Sequence, residues 1–248
     1  MSATKLIAES FAPLVDLVYP PRCPLCGEGL AAQVGLCTAC WSELAIPGEP
    51  ACDRCQRPFG DDAPALGHTC PHCLARPPRH DGIAAGTLYN DTARQLVLRF
   101  KHGRKIALAP MLARLVAARL PALEGEWLAV PVPLHRTRLW KRGYNQSVLL
   151  ARELAQLTGA KLLVDGLVRP KATPSLGGLG KAARARALEG AIAVNPARAG
   201  QLEGAKVLVV DDVLTSGATS NACVETLRRA GAAKVRIACF SRVLEEAL

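Results

Sequence analysis

The sequence predicts an α/β fold, a parallel sheet with flanking helices, preceded by a small cysteine-rich metal-binding domain. Three observations carry the prediction. Short apolar segments alternate with amphipathic ones from residue 83 onward. Eight of the ten cysteines lie before residue 74, as four CxxC pairs. Charge divides at the same place: residues 1–80 carry 6 Lys/Arg against 8 Asp/Glu, whereas residues 81–248 carry 25 against 13. The proline-rich ARPPRHDGI (75–83) marks the boundary, giving domains 1–80 and 81–248.

The elements follow in chain order. Leu6, Ile7, Phe11, Leu14, Val15 and Val18 recur at helical spacing, which predicts a short amphipathic helix. Glu9 and Asp16 interrupt this stretch, no secretion signal is apparent, and no apolar run is long enough to span a bilayer. A cytoplasmic location without membrane insertion is expected. In a reducing compartment CxxC pairs read as zinc knuckles, each turning tightly so that two thiolates meet one ion. Cys23, Cys26, Cys37 and Cys40 then hold one structural zinc, and Cys52, Cys55, Cys70 and Cys73 a second. A crossed pairing of knuckles satisfies the same spacing. Cys223 and Cys239 read as ordinary buried thiols.

Beyond residue 81, strands are expected at Ile83–Tyr89, Trp127–Pro133, Leu162–Arg169, Val207–Val210 and Val235–Phe240. Helices are expected at Thr92–Arg99 with Asp91 as cap, Leu108–Leu120, Asn145–Thr158 and Ala218–Ala230. In such sheets ligands sit beyond the carboxyl ends of the strands.

VLVVDDVLTSGAT (207–219) places Asp211 and Asp212 at such an end, followed by a turn that opens a helix. Unpaired amides at a helix start attract anions, Gly217 allows close backbone approach, and Thr215, Ser216 and Thr219 add hydroxyls. Two acids beside a phosphate cup suit ribose hydroxyls. The GxxxxGK[ST] loop and the dinucleotide fingerprint are both absent.

This stretch resembles the phosphoribosyl diphosphate (PRPP) signature of type I phosphoribosyltransferases, two acids followed by T-[ST]-G-x-T. VPVPLHRTRLWKRGYNQSVLLARELA (130–155) and the cysteine-rich start are similar to the ComF (competence protein F) branch, so the resemblance covers essentially the whole chain. It implies a type I phosphoribosyltransferase-like sheet that binds PRPP through Asp211, Asp212, Thr215, Ser216, Gly217, Ala218 and Thr219, with Mg2+ on the diphosphate.

His135, Arg136, Arg138, Lys141 and Arg142 crowd the loop that contacts pyrophosphate in that fold, which makes Arg142, Gly143, Asn145 and Gln146 candidates. RPKATPSLGGLGKAARARALEGA (169–191) takes the place of the flexible lid and offers Lys181 and Arg184. Thr173, Leu179 and Arg184 match the TxxQxxLxxxxRxxN pattern of ComF relatives, while Leu176 replaces its Gln and Ala187 its Asn. The run RQLVLRFKHGRK (94–105) offers Lys101 and Arg104 near the same site or on a nucleic-acid face.

The resemblance implies transfer of a phosphoribosyl group to a nitrogen acceptor, with Asp211, Asp212, Arg142, Lys181 and Arg184 as the catalytic set. The alternative is a non-catalytic protein of competence that binds PRPP or a nucleotide together with single-stranded DNA, to which the basic surface fits. A third reading makes the ribbons an adaptor for a DNA-processing partner. Aromatic residues are only 4% of the chain, so base-stacking platforms are few. The sequence assigns neither an acceptor nor an oligomeric state.

Overall fold

Val207, Leu208, Val209 and Val210 form a run with no solvent exposure, and it lies in the central strand of the sheet. The computed structural model describes residues 16, 18–59, 68–103, 105–173 and 189–244. Five parallel strands are arranged β1-β7-β6-β2-β3: β1 (Ile83–Leu88), β2 (Trp127–Pro131), β3 (Lys161–Leu162), β6 (Lys206–Leu214) and β7 (Lys234–Arg242). Alternate residues of β6 point to opposite cores, Val207 and Val209 to one and Leu208 and Val210 to the other. A strand apolar at every position is what burial on both faces demands.

Helices α3 (Asp91–Lys101), α4 (Ala109–Ala117) and α6 (Gln146–Thr158) cover the Leu208 face. Asn90 rather than Asp91 caps α3, accepting from the Ala93 amide at 2.9 Å. Asp91 is the first helical residue, where its charge still favours the helix start. Helix α6 runs from its cap Asn145 to Gly159, which closes it at φ 75°. On the Val207 face lies α8 (Ala218–Arg229), with Cys223, Val224 and Leu227 inward.

The strand expected over residues 162–169 is broken. The chain turns at Val164–Gly166 and leaves the sheet, and β4 (Leu167–Val168) pairs antiparallel with β5 (Ala193–Val194) as a separate ribbon, which the short α7 (Ala199–Leu202) follows. Asp165 holds this ribbon, accepting from Asn195 Nδ2 at 3.2 Å and Arg198 Nε at 3.0 Å. Two further expectations change. The basic loop after β2 is a helix, α5 (Arg136–Arg142), capped by the His135 ring and ended by Gly143 at φ 83°. Strand β6 continues four residues past Val210, through both acids, because Val213 and Leu214 still pair with Ser241 and Arg242 of β7.

The two cysteine regions pack on opposite faces beside the edge strand β1. The first, with α1 (Thr38–Ser42), sends Leu44, Leu25 and Leu36 into the core of the Leu208 face. The second, with α2 (Pro71–Ala75), places Cys52, Cys55, Cys70 and Cys73 in one core with Ile83, Ala85 and Ile237. Both also supply partners to the edge: Leu88 N–H donates to Ala45 O at 2.7 Å, and Ala85 N–H to Gln56 Oε1 at 3.0 Å. An unpaired strand edge invites association, and here the ribbons close it. Among the described residues no helix is long and apolar enough to cross a membrane. The expected helix over residues 6–18 lies almost wholly outside the described residues.

Gln56 also donates to Arg119 O at 3.0 Å, so one side chain ties the second ribbon to β1 and to the end of α4. Gln56→Ala strands the buried Ala85 amide, and urea unfolding is expected to show a loss of about 1–3 kcal/mol.

Candidate functional site: thiolate clusters and an uncapped helix at the sheet edge

Cys23, Cys26, Cys37 and Cys40 bring their sulfurs within 4.8 Å of one another, and Cys52, Cys55, Cys70 and Cys73 do the same. The fold therefore makes the sequential pairing. Cys26 and Cys37 stand 3.4 Å apart and Cys55 and Cys70 3.7 Å, near the ~3.8 Å edge of a tetrahedron of zinc–sulfur bonds. Backbone amides support the sulfurs, Cys40 N–H on Cys37 Sγ at 3.5 Å and Cys70 N–H on Cys52 Sγ at 3.3 Å. Among the described residues Arg242 Nη1 is buried without a hydrogen-bond partner, and its charge bears on Cys55. A cation there suits thiolates that carry excess negative charge. The residues fit two closed, structural zinc sites of four thiolates each, with no open position for catalysis. Burial pushes the Cys223 and Cys239 thiols up, which leaves them unreactive.

The acids sit inside β6. Asp211 accepts from Ser147 Oγ at 3.2 Å, from its neighbour's amide at 2.9 Å and from Ser220 Oγ at 3.5 Å. Asp212, 7% exposed, pairs with Lys101 Nζ at 3.0 Å. The expectation of two acids open to a sugar is thus modified. An enclosed carboxylate needs a donor or a counter-charge, and α3, α6 and α8 provide them. Burial, and then the Asp212 charge, holds the Asp211 pKa up at about 7. Lys101, read in the sequence as lying near the acids or on a nucleic-acid face, stands beside the acids, paired with Asp212. Ser147 and Ser220 escaped the sequence reading; each is a buried hydroxyl in the first turn of a helix that points at the acids.

After Leu214 the chain turns through Thr215 and Ser216 to Gly217, at φ 71°, and α8 begins at Ala218. Among the described residues no side chain caps this helix. The Asn221 amide is the first to find an intrahelical acceptor, Gly217 O at 2.7 Å. Thr215 is exposed, and Ser216, Gly217, Ala218 and Thr219 are partly exposed, so the helix start is open to a ligand. A β-carbon at Gly217 would lie 3.3 Å from Asn221 Nδ2, in a backbone conformation that side chains rarely adopt.

The basic segment after β2 joins the acids through a relay of contacts. Arg142 Nη1 donates to Gln146 Oε1 at 2.8 Å, and Gln146 Nε2 to Lys101 O at 3.3 Å. Gln146 is 1% exposed, and Asn145 divides its side chain between the Ser147 amide and Val132 O. Both side chains position α6, and Gly143 ends α5. Arg142 is the member of this group with a charge to offer. Lys181 and Arg184, with Leu176, Leu179 and Ala187, lie outside the described residues, as does Arg104.

Residues 14–74 match a double zinc ribbon domain and residues 146–247 a phosphoribosyl transferase domain. Over 235 residues the chain is 32% identical to DNA utilization protein YhgH of Salmonella typhi, covering 92% of this chain and 100% of that protein. Over 223 residues it is 30% identical to Competence protein F of Haemophilus influenzae, covering 87% and 94%. The chain belongs to the ComF (competence protein F) family. Among solved structures, one described as the allosteric regulatory enzyme of purine biosynthesis is 25% identical over 54% of this chain and 25% of that one, with a TM-score of 0.36. The purine phosphoribosyltransferase from Pyrococcus horikoshii is 19% identical over 55% of this chain and 72% of that one, with a TM-score of 0.29. In this ComF-family chain the phosphoribosyl transferase match holds both acids, the turn and α8, while Lys101 and Arg142 precede it.

A carboxyl group whose pKa is raised on folding stabilises the fold below its unfolded value and loses that contribution as pH rises through the folded one. Asp211→Asn removes this dependence. Chemical unfolding at pH 5 and pH 8 is expected to show the variant gaining stability relative to wild type at the higher pH.

Proposed function

We propose that this ComF-family protein binds PRPP with Mg2+, the start of α8 taking the 5′-phosphate and Asp211 and Asp212 the ribose hydroxyls. The observation that supports this best is the open start of α8, a 12-residue helix whose first turn no side chain closes. Its amides and dipole favour a phosphate, and the Thr215, Ser216 and Thr219 hydroxyls add donors. Ribose binding exchanges the Lys101 contact of Asp212 for sugar hydroxyls and frees Lys101 to meet negative charge on the ligand. Carboxylate oxygens suit a hard cation such as Mg2+, which would help neutralise the diphosphate.

The reaction proposed is phosphoribosyl transfer. A nitrogen nucleophile bonds to C1 of the ribose as the C1–oxygen bond breaks, and diphosphate leaves with the electron pair. Arg142, with Lys181 and Arg184 of the lid segment, would stabilise the departing charge, while the cup and the acids hold the sugar still. We further take residues 1–80 as a zinc-stabilised unit, residues 81–248 as the ligand-binding unit, and the location as cytoplasmic.

A second reading, a binding protein for single-stranded DNA that keeps the cup without turnover, is favoured by α5. Trp140 on this helix is 90% exposed and stands among Arg136, Arg138 and Lys141. An exposed indole flanked by cations is suited to stacking on bases. The name DNA utilization protein, borne by a relative, agrees with it.

Calorimetry with PRPP and Mg2+ is expected to give binding to wild type, at least tenfold weaker binding to Asp211→Ala/Asp212→Ala, and a comparable loss for Gly217→Val. Equal affinities would remove the acids and the cup from the site. Steady pyrophosphate release, abolished in Asp212→Ala, would establish transfer. A tight complex without release, together with salt-dependent DNA binding lost in Trp140→Ala, would establish the second reading.

A further inference from the structure

Consecutive residues at the end of α3 tie separate parts of the molecule together. The Arg99 guanidinium reaches the first cysteine region, Nη1 donating to Pro24 O and Nη2 to Leu25 O, the latter at 3.0 Å. Both carbonyls lie inside the CPLC knuckle, between the ligands Cys23 and Cys26. Phe100 fills the core of the Leu208 face, which Leu25 and Leu36 of the same region join, and its carbonyl accepts from the Tyr144 hydroxyl. Lys101 Nζ pairs with Asp212 at 3.0 Å, and Lys101 O accepts from Gln146 Nε2 at 3.3 Å. The main chain is tightly closed here. Arg99 O accepts from the Gly103 amide at 2.9 Å, and a β-carbon at Gly103 would come within 2.8 Å of that oxygen. Within one hydrogen-bonded turn of helix, a shift of Arg99 carries Lys101 with it.

The two thiolate clusters differ in access. Cys52, Cys55, Cys70 and Cys73 are all buried, whereas Cys26 is exposed and Cys40 partly so. Solvent thus reaches ligands of the first cluster and not those of the second. Four thiolates within 4.8 Å of one another repel unless a cation holds them, so the shape of the CPLC knuckle depends on its metal.

We propose that Arg99 is a positioning residue: metal occupancy of the first thiolate cluster, felt through the Pro24 and Leu25 carbonyls, sets how the end of α3 holds Lys101 against Asp212. The first ribbon is then an exchangeable, zinc-dependent control on the acid pair, and the second a fixed part of the core. A planar guanidinium suits this task, because its fork binds two carbonyls of one turn at once and follows their orientation. The coupling rests on these contacts alone. Only its consequence for PRPP binding rests on the function proposed above.

Amide NMR of the full zinc-loaded chain, during titration with a zinc-selective colorimetric chelator, tests the coupling. The variants are Arg99→Met, which keeps the stem without donors, and Arg99→Lys, which keeps the charge and can serve one carbonyl. One zinc is expected to leave at least tenfold faster than the other, with changes at Cys23, Cys26, Cys37 and Cys40. In wild type the amide signals of Lys101 and Asp212 should move in step with that loss, while those of Val207–Val210 stay in place. In Arg99→Met the fast zinc should still leave, but Lys101 and Asp212 should no longer respond. Arg99→Lys should restore part of the response. After removal of the chelator, PRPP with Mg2+ should bind the one-zinc chain several-fold more weakly than the loaded chain. Equal affinities with Lys101 moved would count against the acids as PRPP ligands and leave the coupling standing. Equal release of both zincs overturns the proposal, as does fast release that leaves Lys101 and Asp212 unmoved in wild type. So does a response that persists in Arg99→Met, or one undiminished in Arg99→Lys if Arg99→Met does not fold. Collapse of the whole native spectrum with the first zinc would make the ribbon a requirement for folding and would also overturn it.

Discussion

Helix α8 begins on Gly217 with no side chain to close its first turn, at the end of a strand buried between two neighbours. Helix starts usually recruit Ser, Thr, Asp or Asn to satisfy their free amides. Asn90 caps α3 and Asn145 caps α6 in this way, whereas α4, which follows directly on a 3-10 turn, has no side-chain cap. At α8 Thr215 and Ser216 stand in the preceding turn and the cap position is glycine, so among the described residues no side chain takes up the first amides. Much of the remaining architecture serves to hold that open end still. Strand β6 anchors it between β2 and β7, Cys223, Val224 and Leu227 seat the helix on the sheet, and Ser220 binds it to Asp211.

The acids show how two neighbouring carboxylates are accommodated in one strand. Two neighbouring carboxylates in an enclosed place are costly. The chain offsets one with Lys101 from the end of α3 and the other with hydroxyls from α6 and α8. These partners are single contacts at the ends of helices, outside the apolar core. Arg169 is a contrasting case, a buried cation for which the described residues supply no carboxylate. The ribbons complete the frame from the other side. By packing on both faces at β1 and bonding to its edge, they take a place that a further strand or helix would otherwise fill.

Much of this was legible in the sequence where the physics is local. Val207–Val210 reads as a fully buried strand because four apolar residues in a row leave no face for water. The T-S-G-A-T turn reads as the start of a helix because hydroxyls and glycine precede an amphipathic run. The knuckles read as zinc ligands because their spacing is set by the turn itself. Long-range effects were not legible. The true length of β6 depends on pairing with Ser241 and Arg242, far along the chain. The break at Val164–Gly166 depends on Asp165 finding Asn195 and Arg198. Helix α5 was hidden because its cations gave no apolar stripe, although His135 and Gly143 were present as its end signals. That the two ribbons would take opposite faces of one sheet could not follow from any local pattern.

The central claim, that the open start of α8 grips a sugar-linked phosphate, is tested most directly by amide NMR during titration with ribose 5-phosphate. The account predicts that the amide protons of Ala218, Thr219 and Ser220 move downfield together, saturably, with smaller changes at Thr215 and Ser216. Saturable binding that leaves those amides unmoved, with the changes confined to another part of the chain, would contradict it.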